Sequence, residues 1–198
     1  MYAMGCGGSA ITPEGIESDI MLKEQHKEYL IEILSQKLKT SKFALNLLYS
    51  GKKNGFEAAT FHQQCDNKGR TVVVCESHTG NIFGGYTQVA WSMDNQYHAD
   101  ANAFLFILKN QNGEQKLVPL RSAKDAAHAV QHLASKGPTF GEAIHALCID
   151  NKPHINANSY TREGSSFQFD GNELCGGNEE TDDTFYFKVK NVEVYQVV

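Results

Sequence analysis

The chain has 198 residues, 41% hydrophobic and 21% charged, which suffices for one packed core and leaves little room for a second. Its formal charge is −5 and its basic residues are scattered, so there is no cationic stripe to neutralise a run of phosphates, and nucleic acid is excluded as the expected partner. No apolar stretch reaches the roughly 20 residues that span a bilayer, and five cysteines without metal-type spacing predict reduced thiols in a cytoplasmic protein.

Residues 1–17 are small, glycine-rich and unpatterned, and predict a flexible lead-in. Within them Met4-Gly5-Cys6-Gly7-Gly8-Ser9 has the M-G-x-x-x-[ST] form of a myristoylation signal, with Cys6 beside it for palmitoylation. Two readings stand: a doubly acylated N-terminus, which requires Gly5 to become the mature first residue, or an inert tail. Residues 18–40 form an amphipathic helix with a Ser18/Asp19 cap, since Leu30, Ile31, Ile33, Leu34 and Leu38 recur near a 3.6-residue period.

Strand signals follow over 43–49, then a turn at 51–55, a short helix over 56–65 and a β-branched strand over 71–75. A turn at 78–81 leads into 82–91 as a hairpin, and 103–109 with 116–121 forms a second one. Residues 123–133 stay open between helix and strand. Beyond Gly137-Pro138 come a buried strand at 146–150, a polar loop at 150–158, a short strand at 167–169 and two closing strands, 184–189 and 192–197, around Lys190-Asn191. Many short strands without a βαβ rhythm predict an α+β domain over 41–198: a two-layer antiparallel β-sandwich flanked by short helices.

Several motifs then line up in order. Leu47-Leu48-Tyr49-Ser50 with Asn54-Gly55-Phe56, Phe61-His62-Gln63-Gln64-Cys65-Asp66, and Asn81-Ile82-Phe83-Gly84-Gly85-Tyr86-Thr87 closing on Trp91-Ser92 resemble the opening blocks of TLDc domains. Asn54 stands where the family pattern has aspartate. Ala103-Phe104-Leu105-Phe106, a protist-like Gly137-Pro138-Thr139-Phe140-Gly141, Leu174-Cys175-Gly176-Gly177 and Glu193-Val194-Tyr195 continue the resemblance to the C-terminus. The glycine-proline element runs on as Glu142-Ala143-Ile144-His145, where many members have further glycines, so no functional residue of that loop transfers. The resemblance implies a protein-binding domain linked to oxidative-stress resistance and to the vacuolar proton-pumping ATPase, located in the cytoplasm and peripherally at membranes of acidic organelles. It implies no cofactor and no catalytic residues.

The residues' own chemistry runs parallel to that implication. Neither a zincin, a nucleophile elbow nor a P-loop pattern is present. His62 and Cys65 share a helix face and read as packing, with a metal or thiol site as the rival; Gly84-Gly85 reads as a bulge or close backbone approach before a phosphate cradle. The acidic run Glu179-Glu180-Thr181-Asp182-Asp183 reads as a solvated turn before a calcium loop, since it lacks the alternating ligands and glycine of an EF-hand. Loops on a rigid scaffold commonly carry binding, so Glu142, His145, Tyr160 and Arg162 are the expected partner contacts. The alternative function is a thiol- or metal-dependent oxidative-stress enzyme.

Overall fold

The computed structural model describes residues 10–142, 145–163, 166–181 and 183–198, with the backbone alone at 179–181. In chain order the helices are α1 (Glu24–Leu38), α2 (Gly51–Asn54) and α3 (Ala58–Cys65). The strands are β1 (Leu45–Ser50), β2 (Thr71–Ser77), β3 (Ile82–Thr87), β4 (Tyr97–His98), β5 (Phe104–Lys109), β6 (Lys116–Pro119), β7 (Val130–Gln131), β8 (Thr139–Phe140), β9 (Leu147–Cys148), β10 (Ser159–Arg162), β11 (Asn178–Thr181), β12 (Thr184–Phe187) and β13 (Val189–Val197). Among the described residues they make two antiparallel sheets, one ordered β1-β13-β2-β3-β5-β6 and the other β11-β12-β10-β9-β8-β7-β4. This is the two-layer antiparallel sandwich with flanking helices that the sequence predicts.

The central strands of the first sheet, β2, β3 and β5, are buried on both faces, which explains why β2 and β5 read as continuous apolar runs. In β2, Val73 and Cys75 point into the inter-sheet core with Phe83, Leu105, Phe140 and Phe187, while Val72 and Val74 point the other way. That outer face, with Tyr86, Phe104, Phe106 and Tyr195, packs under Leu30, Ile33 and Leu34 of α1 and under Ile16, Ile20 and Met21 ahead of it. Gly84 and Gly85 stand at the tightest points of this arrangement. A Cβ on Gly84 would lie 1.8 Å from the Val73 carbonyl oxygen, and one on Gly85 would lie 2.7 Å from the Phe140 ring of the opposite sheet. They serve close approach, and the register shift of the β3–β5 pair falls at Ile82–Phe83 instead.

Several local expectations are corrected by the structure. Ser18 does not cap α1: its hydroxyl accepts from the backbone N–H groups of Ile20 and Met21, a local turn, and the helix starts at Glu24 after Lys23, which gives no side-chain cap. The 51–55 turn is one turn of helix, α2, and residues 167–169 contribute an isolated bridge from Phe167 to Leu120 rather than a strand. The open stretch 123–133 splits into a 3-10 helix (Ala123–His128) and β7. Lys190-Asn191 lies within β13, at a register shift against β2, and the chain changes sheets just before it, between β12 and β13. A bulge absorbs the extra residue without ending the strand.

Candidate partner-binding face

The second sheet differs from the first in what its outer face carries. Strand alternation sends Ser159 and Thr161 inward, where Thr161 Oγ1 sits 3.1 Å from Cys175 Sγ, and turns Tyr160 and Arg162 outward, half-buried. Register places Tyr160 opposite Tyr186 and Cys148, and Tyr97 opposite Gln131. The outward side chains therefore form a row across the sheet: Tyr97, Gln131, Tyr160 and Tyr186, with the Tyr160 and Tyr186 ring centres 5.8 Å apart. His145, just before β9, fills the middle of the row.

His145 is 7% exposed and fully engaged: Nδ1 lies 2.8 Å from the Tyr160 hydroxyl and Nε2 meets the Gln131 side-chain oxygen. Gln131 Oε1 can only accept, so Nε2 carries the proton and Nδ1 accepts from Tyr160. Burial, reinforced by the positive charge of Lys136, pushes the His145 pKa down to about 4, so the ring is neutral near pH 7. Burial also holds the Tyr160 phenol well above its ordinary range, with Cys148 beneath it contributing. The network is a set of fixed dipoles with partly exposed aromatic faces.

Of the four expected contact residues, the structure brings His145 and Tyr160 together and separates the other two. Glu142 is exposed and pairs with His128, whose Nδ1 lies 3.0 Å from Glu142 Oε1. Arg162 extends its Nη1 to within 3.4 Å of Thr184 Oγ1 at the far end of β10. The intervening 143–144, and the lipidation pair Gly5 and Cys6, lie outside the described residues. Tyr97 and Gln131 escaped the sequence reading because β4 and β7 are two residues long, too short for a period of two to stand out, and Tyr186, inside the strand expected at 184–189, joins the row only through its register opposite Tyr160.

The rival chemistry would rest on the thiols. Among the described residues Cys65, Cys75, Cys148 and Cys175 are unpaired and buried. Burial pushes all four up, Cys148 and Cys175 to about 11 and Cys65 and Cys75 well above the usual thiol range, which leaves almost no thiolate at neutral pH. His62 and Cys65 do not converge on a ligand. His62 Nδ1 lies 2.9 Å from Asp66 Oδ1 and Nε2 is 3.1 Å from both the Leu133 and Lys136 carbonyl oxygens, tying α3 to the second sheet's loops. Among the described residues no helix is long and apolar enough to cross a membrane.

The comparisons with known proteins agree with the motif blocks. MTOR-associated protein MEAK7 from Danio rerio is 32% identical over 60 residues, a match covering 30% of this chain and 13% of that relative. The family model for the TLDc domain matches residues 15–198, nearly the whole described fold. The chain belongs to the TLDc domain family.

Proposed function

We propose that this chain is a non-catalytic interaction domain that docks onto a large assembly through the outer face of its second sheet and regulates that assembly. The observation that carries the reading is the contrast between faces: the first sheet is covered on both sides, whereas the second presents Tyr97, Gln131, Tyr160, Arg162 and Tyr186 half-exposed on a hydrogen-bonded scaffold. Tyrosine and arginine held rigidly are the side chains that dominate binding energy at protein interfaces. Among the described residues the four buried, protonated thiols argue against the thiol-dependent form of the enzyme alternative.

The partner we favour is the vacuolar proton-pumping ATPase, as the family resemblance implies, with a link to oxidative-stress resistance and a cytoplasmic location at acidic organelles. The MEAK7 relative is named as MTOR-associated, which raises an MTOR-containing assembly as a related setting. Affinity purification with quantitative mass spectrometry tests this, comparing the parent with a Tyr97→Ala/Tyr186→Ala variant. Peripheral ATPase subunits are expected with the parent and reduced about thirtyfold or more with the double variant, since truncating interface tyrosines costs about 1–2 kcal/mol each. Failure to recover any ATPase subunit, under conditions where another TLDc protein does, refutes that partner.

A further inference from the structure

At the end of the second sheet, away from the tyrosine row, three metal-capable side chains converge. Asp94 closes the turn ahead of β4: its Oδ1 accepts from the Gln96 N–H at 3.0 Å, which leaves Oδ2 to meet His98 Nε2 at 2.9 Å. Antiparallel pairing of β4 with β7 sets His98 against Val130, and the His132 N–H donates to the Gln96 carbonyl at 3.0 Å. His98 and His132 therefore point to the same side of the pair, diagonal to each other, with ring centres 4.0 Å apart. The ligand atoms of Asp94, His98 and His132 all lie within 4.8 Å of one another.

We propose that Asp94, His98 and His132 form a binding site for a divalent first-row transition metal of the zinc class. The donor set, two imidazoles and a carboxylate, is the kind that binds such ions and leaves a fourth position to water. A tetrahedral ion with bonds of about 2.0–2.1 Å separates its ligand atoms by about 3.3 Å. The Asp94–His98 pair is already near that spacing, and these two side chains, 42% and 29% exposed, are the ones with room to close on the third.

His132 supplies the fixed wall of the site. It is 1% exposed, packed beside Trp91, with Nδ1 2.9 Å from Ser92 Oγ and Nε2 buried without a hydrogen-bond partner. A buried imidazole nitrogen left unpaired costs free energy that a ligand bond or its rearranged serine contact recovers. A bound ion would clamp the two-residue edge pair β4–β7, which few hydrogen bonds hold otherwise.

Calorimetric titration of the full chain with Zn2+, together with Co2+ absorption spectroscopy, tests the site. The parent is expected to bind one equivalent of Zn2+ tighter than roughly 10 μM, to give the visible absorption of a four-coordinate Co2+ complex, and to gain thermal stability with zinc. His98→Ala and Asp94→Asn alter a half-buried and an exposed side chain outside the inter-sheet core, and each is expected to weaken binding about tenfold or more. Variants that bind one equivalent as tightly as the parent would overturn the assignment, as would a parent with no binding below about 100 μM.

Discussion

Single residues in this fold do work that their type already suggests. Asn54 keeps the acceptor of the aspartate it replaces: its Oδ1 accepts from the Ser50 N–H at 2.8 Å, so the turn into Gly55 holds without the charge. Gly85→Ala would press a methyl group into the Phe140 ring, and a loss of about 1–3 kcal/mol is expected in urea unfolding. His145 makes the domain sensitive to acid. Its folded pKa is below the unfolded value, so the unfolded chain takes up the proton first and stability falls as pH drops from about 6.5 toward 4. At pH 5 the loss from this ring is about 2 kcal/mol relative to pH 7, and His145→Gln should remove that part of the pH dependence in chemical denaturation.

Among the elements, the N-terminal segment and α1 depend on one buried carboxylate. Glu193 is 0% exposed on β13, and its oxygens accept from the Ser18 hydroxyl at 2.6 Å and the Asp19 N–H at 2.8 Å, with the Tyr195 hydroxyl 2.7 Å away. This gives the Glu193-Val194-Tyr195 motif a physical role: Val194 faces the inter-sheet core while its neighbours pin the segment crossing the other face. Glu193→Ala leaves those donors unpaired and should cost about 3 kcal/mol. Hydrogen exchange is expected to accelerate first at 16–21, and unchanged exchange there would contradict the pinning role.

At the level of the whole molecule, two cores share one sheet. The inter-sheet core holds the sandwich, and the outer core exists only because α1 and the residues before it cover Val72, Val74, Phe104 and Phe106. Deleting residues 1–40 would bare an apolar face of several hundred Å², a size that drives association. Light scattering should then report oligomers and a hydrophobic dye should bind, whereas a monodisperse truncated monomer would show that the helix is dispensable.

The first sheet was readable from the chain because its strands are four to nine residues long, apolar runs at β2 and β5 and rich in β-branched or alternating residues elsewhere, and because α1 carries a helical period over fifteen residues. The second sheet was readable only in part: the strands expected at 146–150 and 184–189 contain β9 and β12, whereas β4, β7 and β8 are two-residue strands, held by pairing with neighbours distant in sequence, and pairs that short leave no period to detect. The same reason hid both sites. Tyr97, Gln131, His145, Tyr160 and Tyr186 become one row, and Asp94, His98 and His132 one cluster, only when register brings separate segments side by side. Local pattern determined the elements and their buried faces, while long-range strand pairing alone decided which surface side chains meet.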